Sequence, residues 1–393
     1  MKVKIVLPVW GDKYIDTFIK YTLPSQLDSS NIPKLSQSHK IKYTLYTTKQ
    51  DLNRLLKEEL ISILQKYTIL EIKLLNSRRI KDIYGTYSFV HNQELKISAK
   101  DNEAVYLLNA DILLSNNFFT STLSIIKKGY KSVNIIIPRT NIELFEKYPS
   151  LNQFETKKFK ANYLIKLWLK NPHKLMRYHF MNDKSNKKIL PASFYWLNSK
   201  RGAYIRSFHL HPIVILPKKL KIIKFKETID SGIVYEMMSR KFVYVEEKYN
   251  LFFALELSHK NKFYEAVGSQ LDSSSYLNYY ASSNKLNFAH LQHEIVIGEI
   301  SPNQKYLFAH RANLLISYIL MEYLSRKEKE KNSPVSVALL FIIYKIATIL
   351  KTNQRFIPIK FYDYLRSRFR YARKNLSVFY DLPSDTNKKI NLG

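Results

Sequence analysis

The sequence predicts an α/β protein with a doubly wound, mostly parallel sheet, followed by a helical, strongly basic C-terminal region. Strand-length apolar runs and helical segments alternate as β-α-β-α-β-α-β within the first ~110 residues, the pattern of such a sheet. Hydrophobic residues make up 46% of the 393-residue chain, which supplies a sizeable core. This length allows two domains, or one large domain with an appendage.

The first two strands are predicted on either side of a helix and a loop. Residues 2–9 form a strand of the parallel-sheet kind, and residues 14–27 carry apolar side chains at helical spacing. Pro24 is expected to end or kink that helix. Residues 28–39, rich in Ser, Asn and Pro, are predicted to be a loop, and residues 41–47 are predicted to be the second strand.

The next elements continue the alternation. Residues 51–67 place their leucines and isoleucines on one helical face, and residues 69–75 read as a third strand. A helix over residues 87–100 precedes the fully apolar strand 105–108. The remaining elements of this half are a helix and a strand, predicted at residues 118–128 and 132–137.

The strand at residues 105–108 leads directly into Asn109-Ala110-Asp111. A carboxylate just past the end of a buried strand lies where open α/β sheets bind ligands, outside the carboxyl ends of their strands. Apolar residues resume after Asp111, so it is predicted to lie in a bend between buried segments. The alternative is that Asn109 and Asp111 are only turn-forming residues.

The net charge and the residue composition limit the classes of partner and of chemistry that the protein can use. The net charge of +31 arises from 63 Lys and Arg against 32 Asp and Glu, and it favours an anionic partner such as nucleic acid, an anionic membrane or a phosphorylated substrate. A lysine-rich genome composition would give the same total. Cysteine is absent, which excludes disulfides, thiolate zinc sites and cysteine nucleophiles. The N-terminal apolar run is too short for a signal peptide and is expected to be a buried strand.

The familiar glycine-rich phosphate loops are missing. Only Gly11 follows the first strand, so neither a Gly-x-Gly-x-x-Gly fingerprint nor a Walker loop is present, and the chain has eight glycines in all. Phosphates would have to be held in another way. A divalent metal on Asp111 is the obvious candidate.

Two short segments resemble the nucleotide-diphospho-sugar transferase (GT-A) fold: Leu-Pro-Val-Trp at residues 7–10 and Leu-Leu-Asn-Ala-Asp at residues 107–111. The resemblance covers roughly residues 1–260 and rests on the order and spacing of these motifs. It implies a nucleotide-sugar donor whose nucleoside is held by the loop after the first strand, through Pro8, Trp10 and Asp12. It also implies an Asp-x-Asp element that binds Mn²⁺ or Mg²⁺ on the donor diphosphate.

Asp111 matches the second aspartate of that element, and Asn109 replaces the first. An asparagine binds a metal only weakly through its carbonyl, although it can also hydrogen-bond a ribose. The resemblance therefore assigns the metal to Asp111, with Asn109 as a donor-binding residue.

A second candidate segment combines arginines with histidines. On one strand, alternate residues would place Arg206 on one face and His209 and His211 on the other, with Arg201 nearby. Two histidines on the same face suit metal or phosphate binding, so His209 and His211 are predicted metal ligands and the two arginines predicted donor-binding residues. The alternative is a pair of solvent-facing histidines on an edge strand.

Asp230 is the predicted catalytic residue. Arg-x-Phe-His-x-His-Pro at residues 206–212, followed by Thr-Ile-Asp at 228–230, is similar to a pattern in bacterial sugar transferases of this fold, where the acidic residue faces the acceptor. A transferase that inverts configuration needs one carboxylate to take the proton from the acceptor hydroxyl. Glu227 is the second candidate for that role. Alternatively, Asp230 only caps a following helix.

The rest of the chain divides into less specific regions. Residues 139–200 are expected to be an acceptor-side insertion in a catalytic domain at 1–260, with a basic, aromatic helical region at 261–381 and a disordered tail at 382–393. His290 and His293 have a spacing that can place two nitrogens on one metal, although such pairs are more often plain surface. Residues 334–350 are nearly all apolar but shorter than the ~20 residues of a membrane span. With their basic flanks they predict an anchor on an anionic membrane surface.

These observations together predict a metal-assisted glycosyltransferase that takes a nucleotide-sugar donor and a glycan or lipid-linked acceptor. The expected location is cytoplasmic, on the inner face of a membrane. One alternative is a basic nucleic-acid-binding protein without enzymatic activity, although no segment resembles a nucleic-acid-binding motif, and no nucleic-acid partner is expected. The other is an inactive transferase-like scaffold, motivated by Asn109.

Overall fold

The computed structural model is described here for the part of the chain in which residue positions are defined. This part comprises residues 1–76, 79–146, 159–181, 192–198, 201–217, 229–230, 234, 237–260 and 287–329. Glu227, the apolar segment 334–350 and the tail 382–393 lie outside the described residues.

A mixed sheet of seven strands, counted over the described residues, forms the centre of the molecule. Its strands, in chain order, are β1 Lys2–Pro8, β2 Ile41–Thr47, β3 Ile69–Leu74, β4 Glu103–Leu107, β6 Ser132–Ile135, β10 His211–Ile215 and β11 Val243–Val245. Their spatial order is β3-β2-β1-β4-β10-β6-β11. The pairings β1 with β2 and β4, β2 with β3, and β6 with β11 are parallel, and β10 runs antiparallel between β4 and β6. The predicted α/β class with a mostly parallel sheet is therefore confirmed.

Two smaller sheets extend this centre. The remaining strands are β5 Ile112–Leu114, β7 Arg139–Asn141, β8 Ser193–Asn198, β9 Gly202–Ser207, β12 Lys248–Tyr249, β13 Ala254–Ser258 and β14 Ile295–Gly298. One sheet has the order β5-β13-β7, and the other has the order β12-β14-β9-β8. The three-stranded sheet begins directly after the bend at Asp111, so the candidate bend joins two sheets.

Helices pack on all three sheets. Those of the first half are α1 Asp12–Thr17, α2 Leu23–Leu27, α3 Ile32–Ser36, α4 Lys49–Leu56, α5 Glu59–Tyr67, α6 Ile83–Asp101 and α7 Phe118–Lys127. The later ones are α8 Glu143–Glu146, α9 Ala161–Lys170, α10 Asn287–His290 and α11 Pro302–Lys329. Helices α5, α6 and α7 pack on the central sheet, whereas α9 and α11 pack on the two smaller sheets. The strands of the first half match the predicted ones closely, because runs of buried apolar residues mark them in the sequence.

The predicted helix at 14–27 is continuous but contains a π-helical turn, Phe18–Thr22, between α1 and α2. Pro24 has no N–H and crowds the carbonyl four residues before it, and the wider turn directly before α2 accommodates this. The hydroxyl of Thr22 then donates to the backbone oxygen of Ala110 at 2.8 Å. The helix after β1 thus holds the Asn109-Ala110-Asp111 bend in place.

Two local predictions were wrong. The helix predicted at 51–67 is two helices, because Glu58 is extended, with φ −77° and ψ 126°, and no Pro or Gly signals the break. The predicted loop at 28–39 contains α3, whose Ile32 and Leu35 are buried. Asn31 fixes that segment: its side chain donates to the backbone oxygen of Ser115 and accepts from the N–H of Phe118.

The predicted division of the chain at residue 260 does not coincide with a boundary in packing. β14 pairs antiparallel with β9, and α11 packs on β8 and β9. A second apolar core spans both sides of that division; its buried members are Phe194, Trp196, Tyr204, Phe208, Leu291, Phe308, Ala312 and Ile316. Nor are the described parts of segment 139–200 a peripheral insertion, since β7 and β8 are sheet strands and Trp168 is fully buried.

Candidate functional site

The bend after β4 lies at the carboxyl edge of the central sheet. Leu108 continues the pairing by donating to the backbone oxygen of Val6, and the chain then turns, with the Ile112 N–H 3.3 Å from the Asn109 oxygen. The backbone oxygen of Asp111 accepts from Leu257 at 2.8 Å. Asp111 is buried and Asn109 is half-buried. The structure therefore places both residues where ligands bind in open α/β sheets.

His211 adjoins the same edge. Its Nε2 lies 2.9 Å from the backbone oxygen of Leu107, the last residue of β4. A carbonyl accepts only, so Nε2 carries a proton and donates it to this oxygen. His211 begins β10, whereas His209 lies in the link after β9. The prediction that both histidines share one face of one strand was wrong, because the chain passes from one sheet to another between Ser207 and His211.

Helix α6 brings a further histidine to this edge. Asp82 caps its start by accepting from the Gly85 N–H, and Asn102 ends it in a left-handed conformation. The helix runs antiparallel to β4. From Asp101 back to His91 it covers about 15 Å, and β4 from its start to Leu107 covers about 13 Å. His91 is therefore level with the end of β4.

An aromatic series connects His91 to the loop after β1. The ring of Trp10 lies 5.7 Å from that of Tyr87, and the ring of Tyr87 lies 5.9 Å from that of His91, centroid to centroid. Tyr87 and His91 are four residues apart on α6, so they share one helical face. The half-buried Trp10, a predicted nucleoside-binding residue, thus stands at one end of a series that ends at His91.

His91 is neutral at physiological pH. Its side chain is 3% exposed, and burial, aided by the nearby His211, lowers its pKa to about 3, while Asp230 acts in the opposite direction. Neither ring nitrogen has a hydrogen-bond partner among the described residues. The sequence analysis did not identify His91. The feature that could have identified it is a histidine on the buried face of a helix, beside the apolar Val90 and Leu95.

Asp230 is close enough to two buried histidines for its charge to act on both. Its charge acts on the pKa of His91 and on that of His290, which burial lowers to about 3. Asp230 is half-buried. His91 is thus within electrostatic range of His211, which contacts the end of β4, and of Asp230. We call these three residues, together with Asn109 and Asp111, the β4-edge site.

The two arginines predicted to bind the donor lie elsewhere. The guanidinium of Arg206 is buried and engages all its donors, on Tyr204 Oη, on the side chains of Glu294 and Asn313, and on the backbone oxygens of Leu291 and Gln292. A buried arginine satisfied in this way has no N–H left for a phosphate.

Arg201 precedes the start of β9. Six residues of strand put it about 20 Å from the β9 end that leads to His211. Neither arginine therefore belongs to the β4-edge site.

The loop after β1 is fixed by charged and polar contacts. Gly11 has φ +77°, a conformation that favours glycine, and its N–H donates to the Asp51 carboxylate at 3.0 Å. Asp12 is exposed and pairs with Arg54 at 2.8 Å. Pro8 is buried at the end of β1. Of the predicted nucleoside-binding residues, Trp10 has the half-buried ring that a base could contact.

A buried network of ion pairs and hydrogen bonds holds α6 against the central sheet. Glu94 accepts from Lys4 at 3.0 Å, from Lys73 at 2.6 Å and from Tyr46 at 2.5 Å. Burial alone would raise the pKa of Glu94, but these hydrogen bonds outweigh it and lower the pKa. Glu94 lies one helical turn after His91, so the network fixes the helical turn that carries His91.

Within the described ranges, no group of three or more His, Asp and Glu side chains is arranged to hold a metal ion. His290 and His293, predicted as a possible pair, point apart: one contacts the Phe208 backbone oxygen and the other Glu247. Mg²⁺, however, commonly binds through one or two carboxylates together with substrate phosphates. The buried carboxylate of Asp111, with the Asn109 amide beside it, fits that mode of binding.

No protein-family model matches the chain, and no curated protein matches it. Among solved structures, it is similar to a protein described as a glucose-1-phosphate thymidylyltransferase from Bacillus anthracis, with 10% identity over 36% of this chain and 55% of that one, at a TM-score of 0.24. It is also similar to mouse xyloside xylosyltransferase 1, with 8% identity over 39% of this chain and 58% of that one, at a TM-score of 0.24. This chain spans little more than half the length of each of those two proteins, and the matches carry no argument about function.

Proposed function

We propose that this protein is a glycosyltransferase that moves a sugar from a nucleotide-sugar donor to a glycan or lipid-linked acceptor with the help of Mn²⁺ or Mg²⁺. One observation carries the proposal: a buried carboxylate, an amide, two histidines and a second carboxylate converge at the carboxyl edge of β1 and β4. Such convergence of polar groups at this edge of an open sheet is the usual position of a binding site.

Each part of the site has a role in the proposal. Trp10 and its loop hold the nucleoside, Asp111 would hold the metal beside the donor diphosphate, and Asn109 contacts the donor. When bound, the metal supplies positive charge that neutralises the diphosphate leaving group. Asp230 takes the proton from the acceptor hydroxyl as the bond between the sugar and the diphosphate breaks. Asp230 suits this role because it is a half-buried carboxylate whose charge acts on the adjacent site residue His91.

Thermal shift measurements test the proposal. The melting temperature is measured with UDP, GDP, CDP and dTDP, each with and without Mn²⁺. Under mass action, a nucleotide at 100 times its Kd stabilises the folded state by about 2.7 kcal/mol. We expect one nucleotide to raise the melting temperature, and more so with Mn²⁺. An inactive scaffold would bind but show no transfer, whereas a nucleic-acid-binding protein would respond to oligonucleotides alone.

The proposal includes attachment to an anionic membrane surface from the cytoplasmic side. The support lies in the sequence, in the apolar segment 334–350 and the Lys and Arg residues that flank it. The structure gives a separate finding: along the described residues, no helix is both long and apolar enough to cross a membrane. Because charge attraction decays over a Debye length, cosedimentation with anionic vesicles should weaken as salt is added.

A further inference from the structure

His91 differs from the other buried histidines in the described ranges. His173 contacts the backbone oxygen of His259 at 2.9 Å and accepts from the Leu175 N–H, and His290 contacts the Phe208 oxygen at 2.8 Å. His91 is equally buried, yet both of its ring nitrogens lack a hydrogen bond there. A buried polar group without a partner is destabilising, so a retained one calls for a ligand that completes it.

The chemistry of the ring defines that ligand. A neutral imidazole has one donor nitrogen and one acceptor nitrogen, and it offers no charge to a phosphate. The matching partner is therefore a neutral group that both donates and accepts, which is the property of a hydroxyl. A bare diphosphate, which only accepts, would satisfy the donor nitrogen alone.

The surroundings favour a polyhydroxylated ligand. The ring of Tyr87, itself in contact with Trp10, packs on His91, and the charges of His211 and Asp230 are close enough to act on it. A ligand in this position meets apolar ring surface and polar groups together. A sugar presents C–H surface and hydroxyls in the same small molecule, and a nucleobase does not present hydroxyls.

We propose that His91 is a sugar-binding residue, whose neutral ring exchanges hydrogen bonds with a hydroxyl of the sugar carried by the donor. The inference rests on the proposed function and makes it more specific, because it separates the part of the site that binds the sugar from the part that binds the nucleotide.

The test compares nucleotide-sugars with their bare nucleotides. UDP-glucose, GDP-mannose and dTDP-glucose are each titrated with Mn²⁺ beside UDP, GDP and dTDP, and the melting temperature and Kd are recorded. In the wild type, one nucleotide-sugar should bind more tightly than its nucleotide. In H91F, binding of the nucleotide should be unchanged, and the added affinity for the sugar should fall by ~10-fold, the value of one hydrogen bond of about 1.4 kcal/mol.

Two further variants control the result. H173F removes an equally buried histidine whose two ring nitrogens are both hydrogen-bonded, so it should destabilise the protein and leave the sugar increment intact. H91Q keeps a donor and an acceptor on an amide, so it should recover part of the increment, and it also tests the inference if H91F fails to fold. Without ligand, H91F should melt at or above the wild-type temperature, because it removes an unsatisfied group.

The outcomes are distinct. An H91F protein that retains the full sugar increment overturns the role of His91 and leaves the glycosyltransferase proposal standing. Equal losses of nucleotide and nucleotide-sugar binding also overturn it, since His91 would then only shape the fold. If no nucleotide or nucleotide-sugar shifts the wild type, the proposed function fails, and this inference fails with it.

Discussion

Replacing Glu94 with glutamine tests how α6, the helix that carries His91, is held on the sheet. The Glu94 carboxylate is fully buried and contacts Lys4, Lys73 and Tyr46. Removing one partner of a buried ion pair costs about 3–5 kcal/mol, because the other charge is left uncompensated. Glu103 lies 3.4 Å from Lys4 and still neutralises part of the Lys4 charge when Glu94 is replaced. We therefore expect a loss of stability at the lower end of this range, about 3 kcal/mol.

Urea unfolding followed by tryptophan fluorescence measures the loss, with D12N as the matched control. The Asp12–Arg54 pair is also ionic, but the Asp12 side chain is 89% exposed, so its removal should change stability little. The double variant K4M/E94L replaces the buried charges with apolar groups and should recover much of the loss. An E94Q protein that loses no more stability than D12N would refute the reasoning.

The contribution of Glu94 also has a defined pH dependence. Its folded pKa lies below the ordinary value of 4.5, so its ionised form is favoured in the folded state. The stabilisation is therefore complete above the unfolded pKa and is lost as the pH falls through the lowered folded pKa. The difference in stability between the wild type and E94Q should be constant near neutral pH and shrink below 4.5. A difference that grows in acid would contradict this assignment.

Three other predictions follow from the site. D111N should abolish transfer and the Mn²⁺-dependent rise in melting temperature without unfolding the protein, whereas N109D should tighten metal binding; wild-type turnover of D111N at saturating Mn²⁺ would remove the metal role. D230A should lower kcat by ~10²–10⁴ with donor affinity unchanged, and a collapse of donor affinity would place Asp230 in the nucleotide site instead. R206M should destabilise the protein because it leaves buried carbonyls without a hydrogen-bond donor, whereas R201M should not. Neither variant should change the Kd for nucleotide, and a weaker Kd in either one would show that its arginine binds the donor.

The sequence allowed the strands of the first half, β1 to β4 and β6, to be predicted, because each is a strand-length run of apolar or alternating residues. It did not allow β5, β7, β8 or β11 to β14 to be predicted. It did not reveal the passage between sheets at residues 208–210. Phe208 and Leu210 are buried and continue the alternating apolar pattern of β9. One uninterrupted pattern therefore runs through β9 and β10, which belong to different sheets. Periodicity reports burial on a face and does not report which sheet supplies that face.

The site was predicted in part for similar reasons. Asp111 could be located because it ends an apolar run, and its environment is the predicted one. Arg206 could not be interpreted, since all of its partners except Tyr204 lie more than eighty residues away in the chain and include backbone carbonyls, which no residue type marks. His91 was missed because a helical pattern predicts which face is buried, but the neighbours on that face depend on the packing of α6 against β4.

The pairing of β9 with β14 has a consequence for how the chain reaches its folded state. Synthesis delivers β8 and β9 well before β14 and α11, so a nascent chain carries β9 with one bare edge and with the aromatic side chains of Phe194, Trp196 and Tyr204 uncovered. Unpaired edges and exposed apolar surface are the features by which folding intermediates associate. A chain interrupted near residue 260 would thus carry all five residues of the β4-edge site and still lack β14 and α11, which pack on β9, the strand that leads to His211.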